Sequence, residues 1–169
     1  MNGHVASYTL TDQQYVMKLL NDNLAQNNQQ QSKTKSRKGA KKHGTSPNAQ
    51  VTTKVTAQIL DWEEDVVSGQ LIDVEGKQSA EVVIACDCIY NDALIDPLVR
   101  TCVDASRLRR EEERPAVVVV AQQLRSSEVF EGWLKAFHTH YHVWRVPDEE
   151  LIDGLRSNSG FVIHVGILR

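Results

Sequence analysis

An aspartate and a tyrosine three positions apart, Asp87 and Tyr90, directly follow a run of apolar residues. The run, Val82 to Cys86, predicts a strand that is buried on both faces, as strands of parallel sheets are. Ligands of open α/β sheets bind beyond the carboxyl ends of the strands, so both side chains are expected at a ligand crevice. A carboxylate there can accept a hydrogen bond, and a phenol ring can face a cation. The alternative is that Asp87 only caps the next helix, and the motif alone does not decide between the two.

The N-terminal third predicts a strand, a helix and a second strand. Residues 5–10 predict a short strand, after which Thr11 and Gln14 match the capping box at the start of a helix. Apolar residues at helical spacing then predict a helix of about four turns. Residues 51–60 alternate in the manner of a strand with one better-buried face.

The C-terminal part continues this alternation of strands and helices. Asp96 is predicted to be an N-cap and Pro97 a first-turn proline, so a helix is expected over residues 97–109. Strands that alternate with helices pair in parallel through right-handed crossovers, which predicts an α/β fold. The other expected elements are a buried strand over residues 116–121, an amphipathic helix around Trp133, and two closing strands over residues 141–146 and 161–168.

A polar segment over residues 29–50 interrupts the pattern. It has no apolar residue larger than alanine, so it cannot offset the entropy lost on ordering and is predicted to be disordered. The chain has a formal net charge of −3, of which this segment carries +6, so the remainder carries −9. An acidic body suits a basic protein partner better than nucleic acid. The basic tract at 33–42 is a candidate for weak contact with RNA or for a nuclear address.

Composition excludes several other classes of protein. Three cysteines in 169 residues indicate a reducing compartment without a disulfide framework. Cys86, Cys88 and Cys102 lack a fourth ligand at metal spacing, so no metal site is expected. The histidines at 138, 140 and 142 recur at every second position and could line one strand face, but with no acidic residue close to them they are expected to be surface residues without a special role. No apolar run is long enough to span a bilayer, and the chain is expected to be cytoplasmic, with the nucleus as a second location.

Three motifs together resemble those of the seven-β-strand protein lysine methyltransferases that use S-adenosylmethionine. The sequence from Asp87 to Tyr90 is similar to the D-x-x-Y signature of that family, YTLTD is similar to the end of its second strand, and ILDW is similar to the segment after its third strand. The short sequences TDQ, LDW and ACDCIYND are most similar to those of the fungal branch of the family, which methylates ribosomal proteins. The resemblance covers nearly the whole chain apart from the polar insertion.

The resemblance implies a role for each site residue. Asp12 would accept hydrogen bonds from the ribose of S-adenosylmethionine, Trp62 would stack beside the adenine, and Ala85 would let the backbone approach the cofactor. Asp87 would orient the substrate amine and Tyr90 would face its cationic centre. The expected activity is methylation of a lysine on a large-subunit ribosomal protein.

The resemblance also implies that part of the family's fold lies outside these 169 residues. The family's first strand and glycine-rich loop should precede Tyr8, where only seven residues stand. The expectation is therefore a partial methyltransferase domain over residues 1–169, with a Rossmann-like, mostly parallel sheet that has an antiparallel C-terminal strand and lacks the first strand. The alternative is a catalytically inactive, methyltransferase-like interaction module.

Overall fold

The computed structural model describes residues 5–37, 53–72, 76 and 78–169. The chain divides into two compact units, Met1–Asp61 and Trp62–Arg169. Both combine helices with strands, and the sheets include parallel and antiparallel pairs, which confirms the prediction of an α/β protein.

The first unit contains a two-stranded parallel sheet and one long helix. Strand β1 (Ser7–Asp12) pairs with β2 (Lys54–Ile59) along its whole length, with Thr11 opposite Gln58. The prediction that Thr11 caps the helix is wrong, because Thr11 is part of this ladder. Helix α1 (Met17–Arg37) begins after a turn in which the amide of Val16 donates to the carbonyl of Gln13 at 3.0 Å.

Helix α1 extends further than its sequence suggested. The segment 29–50 was expected to be disordered, but residues 29–37 continue the helix, and residues 38–50 lie outside the described residues. Glutamine, lysine and arginine are good helix formers, and no glycine or proline occurs between Met17 and Arg37. Polar composition predicted the absence of a buried face, and it does not by itself prevent a helix.

The second unit contains a four-stranded mixed sheet. The strand order is β3-β4-β6-β5, in which β3 and β4 are parallel and β6 is antiparallel to both of its neighbours. The sheet therefore ends with the antiparallel strands that were expected at the C-terminus. The strands are β3 (Val82–Cys86), β4 (Val117–Gln123), β5 (Tyr141–Arg145) and β6 (Phe161–Leu168).

The helices of the second unit begin close to their predicted positions. Helix α3 starts at Ile95 after a 3₁₀ turn (Asp92–Leu94), so Asp96 lies in its first turn and is not the cap, contrary to the prediction. Pro97 is tolerated there because the first amides of a helix have no partner within the helix. The helices are α2 (Gly69–Ile72), α3 (Ile95–Arg107) and α4 (Ser127–His140), and three further 3₁₀ turns are Asp148–Glu150, Asp153–Leu155 and Ser157–Ser159.

Stacked aromatic rings form the centre of the core in this unit. The ring centroids of Trp133 and Phe137 are 5.1 Å apart, and those of Phe137 and Tyr141 are 4.2 Å apart. Gly166 on β6 permits this packing, since a Cβ atom there would lie 2.6 Å from Cζ of Phe137. The Tyr141 hydroxyl reaches the buried Ser106 hydroxyl at 3.1 Å, so its polar end is satisfied.

Strand β3 has the predicted bounds but not the predicted burial. Ala85 packs into the core, whereas Val82 and Ile84 on the opposite face are 49% and 47% exposed. The prediction that both faces are buried is therefore wrong for the described residues. The core contacts of this unit come from α3 and α4, which cover the Ala85 face of the sheet.

Candidate functional site

The chain turns sharply where β3 ends. Asp87 has a φ of 55°, in the left-handed region that aspartate adopts more readily than most residues. Its amide donates to the carbonyl of Ala121 at 2.7 Å, which continues the β3–β4 ladder by one bond. The turn therefore projects the Asp87 side chain beyond the carboxyl end of β3 and toward the end of β4.

Three groups from the end of β4 and the loop after it hold the Asp87 carboxylate. Its Oδ1 accepts from Nε2 of Gln122 at 3.1 Å and from the amide of Gln123 at 3.3 Å. Its Oδ2 forms an ion pair with Arg125. The alternative that Asp87 only caps the next helix is wrong, because Asn91 caps the 3₁₀ turn by accepting from the amide of Ala93 at 3.1 Å.

Gln122 connects this carboxylate to the backbone of the turn. Its Oε1 accepts from the amide of Ile89 at 3.0 Å, and its Nε2 donates to the carbonyl of Ile89 at 2.9 Å. Sequence reasoning did not single out Gln122, Gln123 or Arg125. The signal was available in QQLR, a polar run that follows a buried parallel strand where ligand sites of α/β sheets occur.

Tyr90 lies at the open side of the turn. It is 60% exposed, whereas the preceding Ile89 is buried in the core. The buried side chain anchors the turn, and the phenol ring remains accessible. Asp87 is also accessible in part, with 37% of its side chain exposed. The two motif residues are therefore available to a ligand at the same strand end.

Trp62 and Ala85 belong to the same unit as this turn. Trp62 is half-buried against the core, and its backbone carbonyl accepts from the Arg100 guanidinium at 3.1 Å. The Ala85 side chain is buried within the core, opposite Val120 in the β3–β4 ladder. Ala85 therefore contributes its backbone, not its side chain, to the end of β3.

Asp12 belongs to the first unit, at the end of β1. Its carboxylate is exposed, and Oδ1 accepts from the amide of Gln13 at 2.8 Å. The Gln13 side chain in turn donates to Asp61 Oδ2 at 2.9 Å, which links the ends of β1 and β2. The structure thus groups Asp87 and Tyr90 at one strand end and places Asp12 at the end of a strand in a separate unit.

Cysteines and histidines are the other residue types of this chain that could ligate a metal. The described residues include no cluster of three or more His, Cys, Asp or Glu side chains that could hold a metal ion. Burial raises the pKa of the Cys102 thiol to about 12, which keeps it protonated and unreactive. His138, His140 and His142 are exposed, which confirms the surface positions that the sequence favoured; the first two lie in the last turn of α4 and His142 lies on β5, so the three do not line one strand face. Of the helices that the structure describes, none is both long and apolar enough to cross a membrane.

A comparison with models of protein families assigns the chain to a family. A model of the lysine methyltransferase family matches residues 41–136, more than half of the chain. The chain belongs to the lysine methyltransferase family. The matched part includes Trp62, the whole turn after β3 and the polar run after β4, so it contains most of the candidate site. A search of curated proteins found no match.

Proposed function

We propose that the protein is an S-adenosylmethionine-dependent protein lysine N-methyltransferase in which Asp87 and Tyr90 act on the substrate amine. The observation that carries this proposal is the Asp87 carboxylate, held by Gln122, the Gln123 amide and Arg125 beyond the end of a strand. These residues lie within the part of the chain that matches the lysine methyltransferase family, and this match supports methyl transfer as the reaction.

Asp87 is suited to orient an incoming lysine. Transfer of a methyl group is an in-line displacement, so the amine must be neutral and must direct its lone pair at the methyl carbon. Each carboxylate oxygen can accept about two hydrogen bonds, so Asp87 can accept one from the amine while it keeps its present partners. Entry of the lysine into a desolvated site disfavours its charged form and helps to release the proton.

Tyr90 is suited to bind the cationic centre that forms during transfer. The exposed phenol ring can present its negative face to the positive charge, which moves from sulfur to nitrogen along the reaction. Closure of substrate over this ring would also exclude water from the site. Tyr90 therefore contributes to binding and shielding, while Asp87 sets the direction of the amine.

The residues at the strand ends fit the chemistry of the cofactor. When bound, S-adenosylmethionine supplies an electrophilic methyl group on a sulfonium. Trp62 offers a half-buried aromatic surface for adenine, and its position is fixed through its carbonyl by Arg100. The exposed Asp12 carboxylate at the end of β1 suits the ribose hydroxyls, and the backbone at Ala85 would approach the cofactor.

The proposal includes a further strand beside β3. Among the described residues, only β4 pairs with β3, so the other edge of β3 has no partner strand. A parallel strand there would satisfy the edge amides and cover part of Val82 and Ile84, in the manner of a Rossmann-like sheet. A glycine-rich loop after that strand would hold the methionine end of the cofactor.

The substrate that we propose is a basic protein of the large ribosomal subunit. The chain outside the polar segment carries a formal charge of −9, which favours encounter with a basic partner. The cytoplasm, with the nucleus as a second location, fits this assignment, and the basic residues at 33–42 remain candidates for weak contact with RNA.

Substitution of Asp87 tests the proposed function. Asp87→Ala should reduce the single-turnover rate at saturating cofactor by about 100-fold or more, because the amine is no longer aligned in the transition state. Calorimetric titration should show affinity for S-adenosylmethionine within about three-fold of the unsubstituted protein. The assay uses ribosomal protein as substrate and includes the chain extended at its N-terminus by the proposed strand and glycine loop, which should bind cofactor more tightly.

Asp92→Ala is the matched control, since Asp92 is an exposed aspartate five residues further on. It should leave both the rate and the affinity unchanged. Loss of cofactor binding in Asp87→Ala with a normal rate at saturation would make Asp87 a cofactor ligand. Absence of methyl transfer from every form, the extended chain included, would favour the inactive interaction module.

A further inference from the structure

We propose that Gln122 is a positioning residue for methyl transfer, because its side-chain amide fixes both Asp87 and the backbone of Ile89. The inference rests on the proposed function of Asp87 and Tyr90. It adds a residue that acts through Asp87 and through the shape of the turn.

The Gln122 amide bonds to Ile89 as a residue of a neighbouring strand would. Two residues in a hydrogen-bonded antiparallel pair exchange an N–H and a carbonyl in both directions. Gln122 makes the same exchange with its side chain, accepting from the Ile89 amide at 3.0 Å and donating to the Ile89 carbonyl at 2.9 Å. Ile89 lies in no strand, so this side chain replaces the ladder that its backbone lacks.

The same amide also reaches the reactive carboxylate. Nε2 of Gln122 lies 3.1 Å from Oδ1 of Asp87 and 2.9 Å from the carbonyl of Gln123, in addition to its bond with Ile89. Three acceptors therefore share its two hydrogens. Gln122 is only 2% exposed, so water does not compete for these bonds.

The conformation of the turn makes this support necessary. Asp87 has a φ of 55°, and residues 87–90 form no helix or strand. Their backbone is fixed at the first residue by the bond from the Asp87 amide to Ala121 and at the third by Gln122. Tyr90 follows directly, so release of the Ile89 backbone would displace its ring as well as the carboxylate.

Gln122→Met is the main test, because methionine keeps the length and volume of the side chain but has no amide. We expect the single-turnover rate at saturating cofactor to fall by about 30-fold, as small displacements of reacting groups commonly do. Affinity for S-adenosylmethionine should remain within about three-fold. In hydrogen exchange of the cofactor-free protein, the Ile89 amide should lose its protection.

Ser106→Ala is the matched control for loss of a buried hydrogen bond. The Ser106 hydroxyl bonds to the Tyr141 hydroxyl at 3.1 Å and donates to the Cys102 carbonyl at 2.8 Å, in the same unit. This variant should keep the rate and the protection of Ile89. Comparable losses of rate in Ser106→Ala and Gln122→Met would show that Gln122 matters only for stability.

Gln122→Glu separates positioning from packing through its pH profile. A neutral glutamic acid can donate to Asp87 as glutamine does, whereas the carboxylate cannot and repels Asp87. The ratio of the variant rate to that of the unsubstituted protein should therefore rise as pH is lowered. A ratio that does not change with pH would contradict a role through Asp87.

The outcomes distinguish this inference from the function on which it rests. A fully active Gln122→Met protein would overturn the positioning role and leave the methyltransferase proposal intact. Absence of activity in the unsubstituted protein, the extended chain included, would overturn the proposed function. Hydrogen exchange at Ile89 would then still decide whether Gln122 holds the turn, and unchanged protection in Gln122→Met would refute it.

Discussion

Strands β3 and β4 are neighbours with nearly the same sequence, yet their environments differ. β3 reads VVIAC and β4 reads VVVVAQQ, and both runs predict burial. On β4 every second side chain is almost fully buried, with Val118 at 0% and Gln122 at 2% exposure. On β3 the side chains of Val82 and Ile84 remain about half exposed.

Val118 lies on the face that packs against α3 and α4, whereas Val82 and Ile84 lie on the opposite face, beside Val117 and Val119, which are better buried than they are. On that shared face, the number of neighbouring strands explains the difference. β4 pairs with β3 on one side and β6 on the other, whereas the described residues give β3 a single partner. Apolar composition therefore indicates that a strand requires cover, and the topology decides how much cover it receives. The turn at residues 87–90 follows the less covered strand, and the groups that hold it come from the end of the well-covered strand and the loop after it.

Protonation of His164, which lies beside β4 on its neighbour β6, should lower the stability of the folded protein. His164 on β6 lies opposite Val120, and its Nδ1 is buried without a hydrogen-bond partner. Burial, helped by the charge of Arg145 and by His138, lowers the pKa of His164 to about 4 from the usual 6.5. The unfolded chain therefore takes up the proton first, and stability present above pH 6.5 is lost as pH falls toward 4.

We expect the free energy of unfolding to fall by on the order of 3 kcal/mol between these limits on account of this group. Urea unfolding of His164→Leu should show a smaller dependence on pH over the same range. His142→Leu, at an exposed position on β5, is the control and should behave as the unsubstituted protein does. Equal pH dependence in His164→Leu would remove His164 from the account.

The same substitution on each strand provides the most direct comparison. Val118→Ala should lower the free energy of unfolding by about 2 kcal/mol, because it removes two buried methyl groups and leaves a cavity. Val82→Ala should cost about a quarter of that, since its side chain is half exposed. Chemical denaturation of both variants measures the difference, and equal losses would show that the Val82 face of β3 is covered as well as the helix-packed face of β4.

Arg125 should show the smallest effect on stability. Its ion pair with Asp87 is partly exposed, with 55% of the Arg125 side chain accessible, so Arg125→Gln should change the free energy of unfolding by less than about 1 kcal/mol. Turnover should fall by only a few-fold, since Gln122 and the Gln123 amide still hold Oδ1 of Asp87. Arg125→Lys keeps the positive charge, so its turnover should lie between that of Arg125→Gln and that of the unsubstituted protein. A loss as large as that of Asp87→Ala would place Arg125 in the chemistry itself.

Local sequence signals predicted much of this fold. The bounds of β3 and β6 agree with their apolar runs, and both predicted helices of the second unit are present. Thr11 is not a helix cap because β1 continues through Thr11 to Asp12 and pairs with β2 along this length. The pairing depends on residues more than forty positions later in the chain. Local pattern contains no information about such a partner.

Local sequence signals likewise predicted only part of the candidate site. Asp87 and Tyr90 were found because the motif lies within four consecutive residues. Gln122 was missed because its partners Asp87 and Ile89 lie 35 and 33 positions earlier in the chain. A glutamine near the end of a strand resembles any polar residue there, and only the register of β3 against β4 gives it these partners.

The Gln122 amide has a consequence for attempts to graft this site onto another scaffold. Its bonds make the turn at residues 87–90 a composite of two chain segments, of which the four-letter motif records only one. A transplanted Asp-x-x-Tyr sequence would carry the two proposed site residues without the glutamine hydrogen bonds that hold the turn in shape. A successful transfer would require a parallel neighbouring strand in the same register. That neighbour would need a glutamine one position after the residue that pairs with the last residue of the strand carrying the motif.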